Sequence, residues 1–102
     1  MTEFAAAFRA ATGQDLYPGT LNVKIAAPLQ IREHFRIPDP IDPNQNLLFE
    51  ICRINGFWAY RIRPSNIQTG DGGHGDDTIE IACSQEVPNV RHGSVVEIEF
   101  FR

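Results

Sequence analysis

The sequence predicts a mostly β protein: a small closed barrel of six strands, with a short helix before the first strand. Six stretches read as strands, and three of them alternate apolar and polar residues with the period of two that a half-buried strand requires. Closure into a barrel removes the unpaired strand edges that a small open sheet would expose. At 102 residues the chain has room for one core, and we predict a single domain spanning residues 1–102.

The elements follow in chain order from the helix. Phe4 and Phe8 are spaced i,i+4 and predict a helix over residues 2–12 that ends at Gly13 and covers an open end of the barrel. Asn55-Gly56 is a strong signal for a two-residue hairpin turn. Three prolines make residues 38–44 an extended loop. The six strands are predicted at residues 20–26, 29–37, 47–54, 57–63, 78–84 and 94–101.

The composition argues against several classes of function. The net charge is −4, with eight arginines and one lysine, and general nucleic-acid binding needs a basic face. No run approaches the roughly 20 apolar residues of a membrane helix, and no signal-peptide pattern opens the chain. Cys52 and Cys83 lie in strand-like runs without a Cys-x-x-Cys pair. We therefore predict buried free thiols in a cytoplasmic protein with no membrane or nucleic-acid partner.

The stretch from Tyr17 to Ile25 joins a rigid turn to an alternating strand. Pro18 fixes its own φ, and Gly19 allows a φ that most residues cannot adopt. The polar side chains that follow share one face of the strand by the period of two: Thr20, Asn22 and Lys24. Hydroxyl and amide oxygens suit Mg²⁺, and an ammonium group suits phosphate. The same stretch also fits an ordinary amphipathic strand behind a Pro-Gly turn.

Three other features are candidates for chemistry, each with an ordinary structural alternative. The loop at residues 70–75 has four glycines that could approach an anion and contains His74, but it also fits a solvated hairpin loop. Glu80 stands mid-strand, opposite the apolar face, where many glutamates are simply solvated. Arg61 and Arg63 share a strand face, which fits either an anion clamp or an exposed surface. No Ser/His/Asp order, acid pair or metal-ligand cluster indicates a hydrolase.

The string Tyr-Pro-Gly-Thr-Leu-Asn-Val at residues 17–23 resembles the signature of the archaeal CTP-dependent riboflavin kinases. That family folds as small six-stranded barrels of the cradle-loop (RIFT) type. The likeness covers most of the chain. Further segments similar to the family's are Phe4 to Gly13, Ile62-Arg63-Pro64, Gly73-His74-Gly75, Ile79-Glu80-Ile81-Ala82 and Gly93-Ser94-Val95-Val96.

The resemblance implies a transfer of the γ-phosphoryl group of CTP to the 5′-hydroxyl of riboflavin, giving FMN, with Mg²⁺ as cofactor. It implies Thr20 and Asn22 as magnesium ligands. It also implies Glu80 as the catalytic carboxylate beside the accepting hydroxyl. The substrate and nucleotide contacts that it implies are Pro18, Gly19, Lys24, Arg63 and His74.

Two departures from the family pattern keep other hypotheses open. Family members usually carry a Gly-x-Gly segment before the helix, whereas here Met1 stands almost at the helix. The Leu-Arg pair expected after the fifth strand is Glu86-Val87. One alternative is a non-catalytic barrel that binds a flavin, a nucleotide or a protein partner and has lost the glycine-rich nucleotide loop. Another is a subunit that completes its site in a homodimer.

Overall fold

The structure, a computed structural model, describes residues 2–66 and 77–102. In these ranges one helix, α1 (Thr2–Thr12), precedes the strands, which confirms a mostly β fold with a short N-terminal helix. Nowhere in the described ranges is there a helix with the length and apolar character needed to cross a membrane. The strands are β1 (Leu21–Lys24), β2 (Phe35–Pro38), β3 (Asn46–Ile54), β4 (Phe57–Pro64), β5 (Thr78–Cys83) and β6 (Ile98–Phe100).

All six strands belong to one antiparallel sheet with the order β1-β5-β4-β3-β2. One edge of β3 pairs along its length with β4, and its other edge pairs first with β2 and then with β6. Within the described residues β1 does not pair with β2 or β6 at the far side. The sheet is therefore not closed, and the barrel closure that the sequence predicts is not observed.

Three strands are shorter than predicted by more than one residue, and the first of them, β1, covers only Leu21–Lys24 of residues 20–26. Of residues 29–37 only the last few pair, and of residues 94–101 only 98–100 do. At the start of β2 and at the start of β6, a side chain rather than a backbone carbonyl accepts the hydrogen bond of a backbone N–H. The Ile51 N–H donates to His34 Nδ1 at 2.9 Å, and the Glu97 N–H donates to Asn55 Oδ1 at 2.9 Å. Because these side chains satisfy the donors, the preceding residues are free to leave the sheet.

The hairpin between β3 and β4 is confirmed. Asn55 has φ 49° and Gly56 has φ 84°, as the two central residues of a type I′ turn require. The predicted end of the helix is confirmed as well, since the Gly13 N–H donates to the Arg9 carbonyl at 2.7 Å. Local sequence signals therefore set both boundaries correctly.

The helix packs on one face of the sheet rather than over an open barrel end. Phe4 and Phe8 are buried and lie 5.8 Å and 5.4 Å, ring centroid to ring centroid, from Phe49 of β3. Phe35 stacks on Phe49 at 4.8 Å, and Tyr60 meets Phe8 edge-on at 5.0 Å. Burying each such side chain contributes roughly 1.5–3 kcal/mol. This aromatic cluster holds the helix against β2, β3 and β4.

The opposite face of the sheet forms a second core. Its buried members include Cys52, Ile54, Ile79, Ile81 and Cys83. The predicted buried free thiols are confirmed, and burial raises the pKa of the Cys52 thiol to about 12.

Two charged residues, Glu50 and Arg61, are also buried and face each other across β3 and β4 on the side of the second core. An exposed position for Arg61 is therefore wrong, because this side chain lies inside the second core. Its burial opposite Glu50 agrees with the rule that charges inside a protein stand near charges of opposite sign.

Candidate functional site

A single row of cross-strand partners runs over the face of the sheet that carries the helix. Phe35, Phe49 and Ile62 occupy β2, β3 and β4, and Glu80 and Asn22 continue the row on β5 and β1. Direct partners in an antiparallel sheet project to the same side. The row therefore changes from aromatic and aliphatic to polar at Glu80, beside the sheet edge.

The turn before β1 brings Thr20 to this polar end. Gly19 has φ 87°, a left-handed conformation that reverses the chain just before the strand. The turn is also held to β5, because the Tyr17 N–H donates to the Cys83 carbonyl at 2.9 Å. Thr20 Oγ1 then donates a hydrogen bond to Glu80 Oε2 at 2.9 Å. Thr20, Asn22 and Glu80 are thus brought together at the β1–β5 pair, and we call them the polar cluster.

The hydrogen bonding of the polar cluster leaves oxygen atoms available to a ligand. A hydroxyl has one proton and two lone pairs, so Thr20 can donate to Glu80 and still offer its oxygen to a cation. In the described part of the chain Glu80 Oε1 accepts no hydrogen bond, and the Asn22 side chain is exposed. Hydroxyl, amide and carboxylate oxygens are hard ligands of the kind that Mg²⁺ prefers. The donor set therefore fits magnesium.

An apolar cavity of about 180 Å³ opens beside Glu80. Its walls are formed by side chains of α1, β3, β4, the loop after β2 and the polar cluster: Phe4, Asp39, Pro40, Ile41, Leu47, Ile62, Pro64, Thr20 and Glu80. We call this space the apolar cavity. A second space of about 410 Å³, between α1 and the turn at residues 15–19, also touches Phe4. Together the two reach the roughly 300–1,000 Å³ typical of small-molecule sites.

Asp39 organises the loop that covers the apolar cavity. Its Oδ1 accepts the Ile41 and Asp42 N–H groups at 2.9 Å and 3.3 Å, and its Oδ2 accepts Gln45 Nε2 at 2.7 Å. Burial raises the pKa of the Asp39 carboxyl, but these three hydrogen bonds outweigh it and hold that pKa below its usual value. The proline-rich segment therefore has a fixed conformation where it borders the apolar cavity, and it carries an ionised carboxylate.

A longer groove runs along the open edge of β1. It has a volume of about 670 Å³ and separates residues 20–24 from residues 90–96. We call it the β1 groove. Lys24 lies on one of its walls with an exposed side chain, and Lys24 Nζ stands 3.8 Å from Asp77 Oδ2. Thr20 lines both the β1 groove and the apolar cavity, so the polar cluster stands where the two spaces meet.

The other predicted site residues are more scattered. Pro18 and Gly19 are exposed and line the space between α1 and the turn. Arg63 is paired with Leu48 and therefore lies on the opposite face of the sheet from Glu80, whose partner on β4 is Ile62. His74 and the glycine-rich loop at residues 70–75 lie outside the described residues. The structure thus places Thr20, Asn22 and Glu80 close together and places Arg63 on the opposite face of the sheet.

Some residues that shape the site were not identified from the sequence. Asp39 could have been found, because an aspartate between two prolines commonly accepts hydrogen bonds from the backbone that follows it. Arg91 and His92 line the β1 groove, but no local pattern connects them with Lys24. Within the described residues no group of three or more His, Cys, Asp or Glu side chains could hold a metal. Comparisons of the chain with protein-family models, curated proteins and solved structures found no match.

Proposed function

We propose that this protein is a small-molecule kinase that transfers the γ-phosphoryl group of a nucleoside triphosphate to a hydroxyl group. The sequence resemblance implies that CTP is the donor and that the 5′-hydroxyl of riboflavin is the acceptor. The observation that carries the proposal is the hydrogen bond from Thr20 to Glu80 at the junction of the apolar cavity and the β1 groove. A carboxylate at the end of an apolar cavity can receive an alcohol whose remainder is apolar.

In the proposed reaction Glu80 orients the acceptor hydroxyl and takes its proton. The hydroxyl oxygen forms a bond to the γ-phosphorus while the bond from that phosphorus to the β,γ-bridging oxygen breaks. The bridging oxygen keeps the electron pair and leaves as part of the nucleoside diphosphate. Glu80 Oε1 has no hydrogen-bond donor among the described residues, so it can accept the substrate hydroxyl. General bases of this kind typically contribute ~10²–10⁴-fold to the rate.

Thr20 and Asn22 would hold the magnesium ion of the nucleotide. When bound, Mg²⁺ neutralises charge on the phosphates of the donor. Thr20 has a second role, since its proton is directed to Glu80 and fixes one carboxylate oxygen. Two neutral oxygens form a weak cation site by themselves, so we expect metal binding to depend on the phosphates of the nucleotide.

The apolar cavity would take the ring system of the acceptor. Phe4, Ile41 and Ile62 offer flat and branched apolar surfaces, which suit an aromatic ring. The space between α1 and the turn also borders Phe4 and would extend this site. A ligand as long as riboflavin needs both spaces.

We also propose that the sheet belongs to a cradle-loop barrel, with its seam between β1 and residues 94–96. The support is that these two segments already face each other across the β1 groove. Hydrogen exchange of the β1 amides tests this. Slow exchange of every amide from Leu21 to Lys24 would indicate closure, and fast exchange of the outward-facing amides would indicate that the sheet stays open.

The kinase assay uses the purified chain with riboflavin, Mg²⁺ and each of the four common nucleoside triphosphates, and FMN is measured by chromatography with fluorescence detection. We expect FMN to form, most readily with CTP. Glu80→Gln keeps the volume and removes the charge, so turnover should fall by ~10²–10⁴-fold while the affinity for riboflavin is retained. Glu97→Gln is the matched control, because Glu97 is an exposed glutamate near β6 and outside every cavity described above.

One result would contradict the role of Glu80, and another would contradict the kinase function itself. Equal turnover by the wild type and Glu80→Gln would show that Glu80 does not act on the hydroxyl. Absence of FMN with every nucleotide, together with calorimetric binding of riboflavin or CTP, would instead support a non-catalytic binding barrel. Calorimetry therefore distinguishes the two functions where the kinase assay alone would not.

A further inference from the structure

The β1 groove differs in charge from the rest of the molecule. The chain has 13 acidic residues and nine lysines and arginines, yet among the described residues no aspartate or glutamate lines this groove. Its charged or basic lining residues are Lys24, Arg91 and His92. Positive groups facing each other across a concave surface attract and retain anions. The groove is therefore a local cationic site in an acidic protein.

The segment that carries Arg91 is held in shape by its own hydrogen bonds. The Ser94 N–H donates to the Arg91 carbonyl at 2.9 Å, and the Arg91 N–H donates to Ser94 Oγ at 2.9 Å. Gly93 lies between them with φ 86°, a conformation that completes this tight turn. In the described part of the chain no carboxylate pairs with the Arg91 guanidinium. Its charge is therefore available to a ligand in the groove.

Lys24 stands on the other wall of the groove, as the last residue of β1. The Lys24 ammonium is 80% exposed, and its contact with Asp77 at 3.8 Å is long for a hydrogen-bonded ion pair. Lys24 can therefore turn toward an anion.

We infer that the β1 groove binds the phosphate chain of the donor nucleotide, with Lys24 on one wall and Arg91 on the other. This inference rests on the proposed kinase function and assigns its donor site. Thr20 and Asn22 line the same groove, and Lys24 follows Asn22 at roughly 7 Å along the strand. A phosphate chain lying there would place its terminal phosphoryl group at the polar cluster, with the acceptor hydroxyl on the other side of Thr20.

Tripolyphosphate and CTP are the probes for this inference, each titrated calorimetrically without Mg²⁺. Lys24→Gln and Arg91→Gln should each raise the Kd for tripolyphosphate about tenfold, since a charged contact to phosphate is lost. The wild-type affinity should also fall as salt is raised from low to physiological concentration. Arg36→Gln is the matched control, because Arg36 is an exposed arginine on β2 that contacts Glu33 and lies outside the groove.

Steady-state kinetics separate this inference from the proposed function. If the kinase forms FMN, both variants should raise KM for the nucleotide and leave KM for riboflavin unchanged. Nucleotide KM values equal to the wild type would overturn the groove assignment while the kinase function stands. If no FMN forms, weaker tripolyphosphate binding by both groove variants still supports the groove as a polyphosphate site. Failure of the wild type to bind tripolyphosphate or CTP overturns it.

Discussion

Glu50 and Glu80 are two glutamates at the middle of strands of the same sheet, yet their surroundings differ. Glu50 on β3 is fully buried on the side of the second core. Its carboxylate accepts Arg102 Nε at 3.0 Å, Arg102 Nη2 at 2.8 Å and the Arg32 N–H at 3.0 Å. Every one of these donors comes from the chain itself. Donors of the chain occupy both oxygens of the Glu50 carboxylate, which therefore serves the fold.

Glu80 on β5 projects from the other face and is only partly buried. In the described residues it accepts one hydrogen bond, from Thr20 to Oε2, and the residue lines the apolar cavity. The difference between Glu50 and Glu80 shows that residue type and strand position do not decide the role of a carboxylate. The number of hydrogen bonds that the fold supplies decides it, because a carboxylate with unused acceptors can bind a ligand and a saturated one cannot.

The largest expected effect in this comparison is on folding stability and concerns Glu50. Glu50→Gln keeps the shape but removes the charge that binds the Arg102 guanidinium. Breaking a buried pair costs about 3–5 kcal/mol, and Arg102 is 27% exposed, so we expect about 3 kcal/mol. Urea unfolding measures this loss as a lower transition midpoint at an unchanged slope.

A double-mutant cycle with Arg102→Gln controls for effects outside the pair. If the two residues stabilise the protein through each other, the double variant should lose much less than the sum of the single variants. Additive losses, or a loss under about 0.5 kcal/mol for Glu50→Gln alone, would show that the pair behaves like an ordinary surface contact.

The next effect concerns metal binding at the polar cluster. Thr20→Val preserves the shape and removes the hydroxyl, so we expect the affinity for Mn²⁺, measured with nucleotide present, to fall about tenfold. Without nucleotide the wild type should bind Mn²⁺ too weakly for micromolar detection. Tight Mn²⁺ binding without nucleotide that Thr20→Val leaves unchanged would place the cation somewhere else.

The smallest expected effect is that of Glu80→Gln on stability. The glutamine oxygen can still accept the Thr20 hydroxyl, and the remaining polar atoms reach water, so the free energy of unfolding should change by less than about 1 kcal/mol. Urea unfolding under the conditions used for Glu50→Gln makes the two results directly comparable. A loss as large as that of Glu50→Gln would mean that Glu80 too is primarily a structural residue.

The parts of the fold that depend on local chemistry could be predicted from the sequence. The helix, its end at Gly13 and the turn at Asn55-Gly56 follow from residues close together in the chain. The lengths of β2 and β6 could not be predicted. They depend on hydrogen bonds from Ile51 to His34 and from Glu97 to Asn55, which join distant segments. The alternation of apolar and polar residues shows that a segment can form a strand. It does not show where the pairing with the neighbouring strand ends.

The same division holds for the candidate site. Thr20 and Asn22 share a face by simple periodicity, and the same period places Glu80 opposite the apolar face of its strand. The burial of Arg61 opposite Glu50 and the position of Arg91 across a groove from Lys24 are products of the tertiary fold. Charge alone does not reveal them, because an arginine on a strand or in a turn has the same pattern whether it is buried, solvated or facing a ligand.

The contact between Glu50 and Arg102 also has a consequence for the order of folding. The two residues are 52 positions apart, whereas β3 and β4 are joined by a two-residue turn. Closing the longer loop costs more entropy, so the hairpin forms early and the ion pair late. We therefore expect Glu50→Gln to speed unfolding and leave the refolding rate unchanged in stopped-flow measurements. The contact of Arg102 with Glu50 is thus one of the last to form during folding.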